Sequence, residues 1–380
     1  MFQYEQQQRY FAQVAPGVEP WAAAELTALG ADRVQPAFRG VHFQVDYVGC
    51  ARIIYTARLI TRVLAPLITF DCHSDRYLYR TAQKMEWTRL MHPHDTLAVT
   101  ASTSNTPGLK HSRYAALKLK DAVCDYFRAQ CGQRPSVDTV APDVGLHLFV
   151  RNNRATISID ASGGSLHKRG YRVHTVDAPL QETLAATIIH IMGWEGQCPL
   201  IDPMCGSGTL LCEAAMRFAR IPAGYLRPAP ALAHLPGFDP AAWATIKKSA
   251  DQSIKPVPRG LIHGSDCAAD AVAATRQNCL RLPGGQAIQV EQRDFRAIPR
   301  IADAFIVTNP PYGVRLGDRA AAEQRIKEFG DFLKQRCTGC TAYVYAGDRP
   351  LLKKLGLKPK ATTELSSGGL SGVLGQYDLY

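Results

Sequence analysis

Hydrophobic positions change their period along the chain in a way that divides it into three stretches. Over residues 1–65, "YFAQVA" and "GVHFQVD" alternate apolar and polar positions as half-buried strands do, while "PGVEPWAAAELTALG" repeats its apolar positions every three to four residues and stops at Gly30. The next piece, "VGCARIIYTARLITRVLAPLITF", continues as helix and then strand, which predicts a small ferredoxin-like alternation. Residues 66–165 form a second small α/β unit. There "HDTLAVTASTS" alternates, "SRYAALKLKDAVCDYFRAQCG" is an amphipathic helix closed by Gly132, and "VGLHLFVRNN" and "RATISIDAS" are strands joined by a tight Asn152-Asn153 turn.

From 166 to 380 helices and near-continuous apolar strands take turns. Helix "LQETLAATIIHIMGW" leads to strand "CPLIDPM", helix "GTLLCEAAMRFARI", strand "GLIHGSD", helix "CAADAVAATRQNCLRL", strands "AIQVEQRD" and "DAFIVTN", helix "AAAEQRIKEFGDFLKQR" and strand "TAYVYAG". This pattern builds a doubly wound, mainly parallel sheet covered by helices on both faces. Ligands on such sheets bind at the carboxyl ends of the strands. A proline-rich stretch from "PAGYLRPAP" to "IKPVPRG" interrupts the alternation, and Asp239-Pro240 within it suits the start of a short helix over 240–250.

Composition changes this picture little. With 380 residues, 46% hydrophobic and 20% charged, the chain is long enough for two or three domains. Lysine plus arginine exceed acids by 44 to 33, which fits a polyanionic partner without demanding one. No apolar run approaches the roughly 20 residues that cross a bilayer. The start "MFQYEQQQRYFAQ" lacks the layout of a signal peptide, so a cytoplasmic protein without membrane contact is expected. Several of the 11 cysteines, such as Cys124, Cys212 and Cys279, fall in apolar patterns that suit small buried thiols, and reduced cysteines are expected. Cys337 and Cys340 have C-x-x-C spacing, but a four-coordinate zinc needs two further ligands that no second pair or histidine cluster supplies, so no metal is assigned.

Four strand ends carry chemistry. "LIDPMCGSGTLLCEAA" places Asp202 at a strand end, then Gly206 and Gly208 around Ser207, then a helix starting near Thr209. Glycines permit a tight turn and close approach of a ligand to bare backbone, and the helix N-terminus offers unpaired N–H groups. No lysine follows Gly208, as a P-loop requires, and Leu211 stands where a dinucleotide motif has its third glycine. Asp266 ends the next strand, where a carboxylate suits a vicinal diol. Asp294 and Phe295 end another, positioned to accept from an adenine amino group and to lie along its ring. "AFIVTNPPYG" leaves the last through Asn309, Pro310, Pro311 and Tyr312.

Taken in order, "DPMCGSGT", "GSD", "RDF" and "NPPYG" resemble the motifs of S-adenosylmethionine-dependent amino-methyltransferases with the Rossmann-like class I fold. "ISIDASGGSLHKRGYR" followed by "APLQETLAA" is similar to the junction in THUMP-containing RNA methyltransferases, above all bacterial enzymes that methylate guanine N2 of 23S ribosomal RNA. This resemblance covers essentially the whole chain. It implies a ferredoxin-like unit at 1–65, a THUMP RNA-binding domain at 66–165 and a methyltransferase domain at 166–380. It also implies S-adenosyl-L-methionine as cofactor. Pro179, Glu182 and Thr183 would close over its methionine end, Asp202 with Cys205, Gly206, Ser207, Gly208 and Thr209 would hold that end, Asp266 the ribose, and Asp294 with the Phe295 backbone the adenine. The proline-rich insertion lengthens the gap before Asp266, and the chain stops after one methyltransferase domain where some relatives carry a second.

An exocyclic amine is a poor nucleophile because its lone pair is delocalised into the base. Acceptors on both N–H groups, the Asn309 side-chain oxygen and the Pro310 carbonyl, favour a pyramidal nitrogen aimed at a methyl donor, with Asn309 also beside the cofactor. The prolines fix the backbone there, and Tyr312 would stack on the base, a contact worth roughly 1–3 kcal/mol. Lys110, His111, Arg113, Arg151, Arg154, Lys168, Arg169 and Arg172 are the candidate RNA contacts. The expected partner is RNA, 23S rRNA or a ribosome assembly intermediate, read by a monomer or weak oligomer. Guanine N2 of tRNA, adenine N6 of RNA or DNA, and a cofactor-binding RNA chaperone with little catalysis stand as alternatives.

Overall fold

A computed structural model of the chain describes every residue except 177–178, 229–230, 312–318 and 368–369. It divides into two compact units, one of residues 1–14, 22–166 and 227–248, the other of residues 15–21, 167–226 and 249–380.

The first unit opens with α1 (Gln3–Gln7), β1 (Arg9–Gln13), α2 (Glu19–Ala28), β2 (Asp32–Ala37), β3 (Gly40–Gln44), α3 (Tyr47–Thr56) and β4 (Arg62–Asp71). It continues with α4 (Asp75–Gln83), β5 (Thr96–Ser104), α5 (Ser112–Cys131), β6 (Ser136–Val137), β7 (Val144–Arg151) and β8 (Arg154–Asp160). The two small units read in the sequence share one sheet, in the order β2-β3-β1-β4-β8-β7-β5-β6 among the described residues. The reason is the length of β4. Its start pairs with β1, Leu64 opposite Phe11, and the remainder pairs with β8, from Leu64 opposite Asp160 to Asp71 opposite Arg154. Asn152 and Asn153 make the β7–β8 turn with φ of 51° and 59°, as a two-residue type I′ hairpin requires. Helix α5 ends at Gly132, in the left-handed region at φ 70°, whose N–H bonds Arg128 O.

The described residues of 227–248, the middle of the proline-rich insertion, pack within this first unit. Leu232 is fully buried, and its carbonyl accepts from the Tyr47 hydroxyl at 2.7 Å. Trp243 meets Tyr55 edge-on at 5.5 Å, and Arg227 donates to the Ser165 carbonyl at 2.9 Å. The expected short helix is present as α8, Pro240–Gln252.

The second unit contains α6 (Glu182–Met192), β9 (Leu200–Asp202), α7 (Thr209–Phe218), β10 (Ile262–Asp266), α9 (Ala269–Leu280), β11 (Gln289–Gln292), β12 (Ile301–Ala302) and β13 (Phe305–Thr308). Then come α10 (Arg319–Arg336), β14 (Cys337–Thr338), β15 (Cys340–Ala346), α11 (Arg349–Lys353), β16 (Ala361–Ser367) and β17 (Leu370–Leu379). Its larger sheet runs β11-β10-β9-β13-β15-β17-β16, parallel except for β17, which is antiparallel to both neighbours. This is the doubly wound arrangement expected of a class I methyltransferase fold. The closing β16–β17 pair was not legible, because its strands carry serine, threonine and glycine where apolar residues would signal burial. Cys337 and Cys340 are buried beside it, the Cys340 thiol facing Ile301 O at 3.7 Å. Among the described residues, no helix is long and apolar enough to cross a membrane.

Phe329 is fully buried where α10 meets the sheet, edge-on to Phe295 at 5.4 Å and stacked with Phe332 at 5.8 Å. Phe329→Ala should therefore destabilise the second unit by about 3–5 kcal/mol, read as a lower urea midpoint by tryptophan fluorescence and circular dichroism.

Candidate active site

β9, β10 and β13 lie side by side in parallel, with Asp202 opposite Gly264 and Ile201 opposite both His263 and Ile306. Their carboxyl ends therefore bring Asp202, Asp266 and Asn309 to one edge of the sheet. Asp202 is 1% exposed and accepts from Met204 N at 3.2 Å. Burial pushes its carboxyl up to about 7, against the opposing pull of the Thr308 hydroxyl and the Met204 N–H. Asp266 is half-buried and accepts from Gly206 N and Ala268 N, both at 3.0 Å. A carboxylate has about four lone-pair positions, so both oxygens keep capacity for a ligand.

The turn from Cys205 to Gly208 is closed by Gly208 N to Cys205 O at 2.8 Å. Gly206 and Gly208 have φ of 53° and 78°, a region glycine enters at little cost. A Cβ at Gly208 would also lie 2.6 Å from Thr275 Cγ2. α9 supports the turn from below. The Thr275 hydroxyl donates to Gly206 O at 2.7 Å. Asn278, fully buried, uses its whole amide: Oδ1 accepts from Val173 N and His174 N at 2.9 and 3.0 Å, and Nδ2 donates to His174 O and Ser207 O at 2.8 and 2.9 Å. Cys205 and Ser207 are buried, and burial raises the Cys205 thiol well above its ordinary value. Thr275 and Asn278 were missed in the sequence, although two polar residues three apart on the inward face of an alanine-rich helix are the available signal.

Arg172, and through it Leu180 and Glu182, is tied to the same turn. Arg172 donates to Thr209 Oγ1 at 3.0 Å and to Leu180 O at 2.6 Å, and its Nε lies 3.2 Å from Glu182 Oε1. Glu182 and Thr183 are buried and Pro179 is exposed. Burial raises the Glu182 carboxyl, with Arg172 opposing.

At the β13 exit, Thr308 is fully buried, Pro310 buried, Pro311 exposed and Asn309 half-buried. Among the described residues the buried Asn309 Oδ1 has no hydrogen-bond partner. Tyr312 lies outside the described residues. An unpaired buried acceptor is expensive to keep, so Asn309 Oδ1 has unused capacity for a hydrogen-bond donor among the described residues. Together with the open glycine turn and the two carboxylates, it makes a donor set that fits a cationic, ribose-bearing cofactor beside an amino-group substrate.

Three expectations need correction. The Phe295 ring does not lie along a ligand, because it is buried in the core against Phe329 and Phe332, leaving only its backbone available. Asp294 caps the following turn through Arg296 N and accepts from Arg296 Nε and Nη2, one on each carboxylate oxygen, which lowers its pKa. Arg169 and Arg172 are not surface cations. Arg169 is 1% exposed with Nε 3.4 Å from the buried Glu213, which also accepts from the Tyr171 hydroxyl at 3.0 Å, and Arg172 reaches Thr209 at the end of the glycine turn. A buried guanidinium has to be paired, and these two found carboxylates inside the second unit. Lys168 is exposed.

Lys110, His111, Arg113, Arg151 and Arg154 are exposed, and the fold gathers them at one end of the first unit's sheet. There Asn105 Nδ2 donates to Asn152 Oδ1 at 2.7 Å and Asn152 N to Ser104 O at 3.3 Å, joining the loop before α5 to the β7–β8 turn.

Comparison with known proteins matches residues 9–64 to an RlmL ferredoxin-like domain, 73–160 to a THUMP domain and 169–376 to an RMKL-like methyltransferase domain. A Synechocystis sp. protein named "Putative RNA methyltransferase slr0064" is 37% identical over 372 residues, covering 98% of this chain and 97% of that one. The ribosomal RNA large subunit methyltransferase K/L of Syntrophotalea carbinolica is 37% identical over 385 residues, covering 98% of this chain and 53% of its own length. The chain thus spans about half the length of the K/L relatives it matches. In fold it is similar to SMU.472, crystallised with SAH, at a TM-score of 0.84 with 24% identity and 98% of each chain covered. It is also similar to TrmN from Thermus thermophilus, at 0.67 with 18% identity, 97% of this chain and 99% of that one.

The raised Asp202 carboxyl predicts a pH dependence. Its folded value of about 7 lies above the ordinary 3.8, so between these limits the folded chain holds a proton that the unfolded chain releases. Its contribution to stability is complete below pH 4 and is lost as pH rises through about 7. Relative to Asp202→Asn, the wild-type chain should lose stability between about pH 4 and 7 and level off above that, read from urea midpoints of both proteins across that range.

Proposed function

The chain belongs to the RMKL-like family of S-adenosylmethionine-dependent methyltransferases, and from that premise we propose that it methylates the exocyclic N2 of a guanine in 23S rRNA. The observation that carries the reading of the reaction is the buried Asn309 Oδ1 that has no hydrogen-bond partner among the described residues, at the end of the strand beside Asp202. The ribosomal RNA target is supported by the names of the K/L relatives.

The cofactor supplies a methyl group on a sulfonium, already an excellent leaving group. The chain's own residues bind and orient. Asp202 and the Cys205–Thr209 turn hold the methionine portion, with Pro179, Glu182 and Thr183 closing over it. Asp266 accepts from the ribose hydroxyls through the lone pairs left by Gly206 N and Ala268 N. The Asp294–Phe295 turn receives the adenine through its backbone and whatever capacity Arg296 leaves on the carboxylate.

Asn309 Oδ1 and the Pro310 carbonyl accept the two N–H bonds of the target amine, which turns its lone pair toward the methyl group. Tyr312 stacks on the base. No strong general base is required, because the amine can lose its proton after transfer, and alignment alone contributes about 7–11 kcal/mol. A target base in structured RNA has to leave its stack to reach this pocket, which costs a few kcal/mol.

Lys110, His111, Arg113, Arg151 and Arg154, with Lys168, contact RNA phosphates. RNA affinity accordingly falls steeply with salt.

Asn309→Ala should abolish methyl transfer to unmodified ribosomal RNA while adenosylmethionine binding, measured by calorimetry, stays within about threefold of wild type. Transfer that survives the substitution would remove Asn309 from the reaction. Mapping the methylated nucleotide by mass spectrometry in RNA from cells with and without the gene should give N2-methylguanosine in 23S rRNA. N6-methyladenosine, or a tRNA product, would reassign the substrate and leave the reaction type standing.

A further inference from the structure

The first unit carries an aromatic residue on a sheet face that is exposed to solvent toward its hairpin end. On β7, Leu146, Leu148 and Val150 point into the core and Gly145, His147, Phe149 and Arg151 take the opposite face. Phe149 is 38% exposed in the middle of that face, between Ser102 of β5 and Thr156 of β8, with Thr69 of β4 beyond, its hydroxyl 3.0 Å from that of Thr156. The next row toward the hairpin turn is Ser104, Arg151, Arg154 and Asp71. A second ring, Phe38, is 71% exposed and lies 5.9 Å from the Arg151 guanidinium carbon. Lys110, Arg113, Arg151 and Arg154 form no ion pair among the described residues, and Asp71 is the one acid in the row.

We propose that this face is a base-stacking platform for single-stranded RNA, with Phe149 and Phe38 taking unpaired bases and Arg151, Arg154 and Lys110 taking the phosphates between them. The proposal rests on the RNA reading given above and narrows it to unpaired RNA. A ring lying in the middle of a sheet face meets a base only if that base is out of its helix, because a duplex offers side chains its grooves and backbone and keeps its base faces covered. Hydroxyls and amides around the ring keep the face wet and tolerant of any base. Phe149 and Arg151 are two residues apart, about 6.8 Å along the strand, so ring and cation can engage successive parts of one extended strand. Charge selects the occupant: unpaired cations beside exposed rings favour a polyanion that carries aromatic faces.

The test uses the full chain, a fluorescein-labelled 12-nucleotide oligouridylate and an RNA duplex of equal length, with anisotropy titrations at several salt concentrations. Wild type should bind the single strand more tightly than the duplex. Phe149→Ala should weaken single-strand binding about tenfold or more with the salt slope unchanged, and Phe149→Trp should restore it. Arg151→Ala should instead flatten the salt slope by about 0.7. Unchanged single-strand affinity in Phe149→Ala, or equal loss on strand and duplex, overturns the platform. Should wild type bind neither RNA, it is the RNA reading itself that fails, and adenosylmethionine calorimetry on Phe149→Ala, expected to match wild type, separates either result from misfolding.

Discussion

A turn of bare backbone has to lie open to a ligand on one side and leave no peptide group unpaired on the other. Cys205–Gly208 meets that constraint by borrowing its partners from elements far away in sequence. Asp266, at the end of β10, takes the Gly206 N–H, and Thr275 and Asn278, on one face of α9, take the carbonyls of Gly206 and Ser207. Asn278 goes further, holding Val173 and His174 with the same amide. Because all four of its hydrogen-bonding positions are used inside a dry interior, removing it would strand several buried groups at once, each at a cost of about 1–3 kcal/mol. Asn278 thereby joins the glycine turn at Ser207 to the backbone of Val173 and His174.

Charge is handled in the same region by burial in pairs. Arg169 with Glu213, and Arg172 with Glu182, fill the space behind the turn, while Asp202 has no ion pair among the described residues, and burial, with the like charge of Asp266 adding to it, pushes its carboxyl up to about 7. A buried carboxyl without a counter-ion is poised for a cation that arrives from outside.

Much of this was legible beforehand, for identifiable reasons. Strands followed by glycine or acid, and helices with a strict period, announce themselves locally, so the order of β9, β10, β11, β13 and β15 and the corner at Asn309 could be read directly, while the two-residue strands β12 and β14 are too short to show a pattern. The ferredoxin-like and THUMP halves were also legible as patterns, but their fusion into one sheet depends on β4 pairing both ways, which no local pattern encodes. Arg169 and Arg172 misled because a basic residue in a junction looks the same whether it faces water or a carboxylate buried some forty or ten residues later. Phe295 misled for the complementary reason, since a ring beside a binding motif can serve the core as readily as the ligand. Phe149 passed unremarked inside a strand whose alternation was otherwise regular.

The placement of 227–248 has a further meaning for how the molecule comes into being. Leu232 and Trp243 complete the packing around Tyr47 and Tyr55, yet they follow α7 in the chain. During synthesis the first unit cannot be finished when residues 1–166 have emerged; it waits for residues 227–248, made after β9 and α7. The two units are thus interleaved in time as well as in sequence, and a cut at residue 166 would separate neither of them whole.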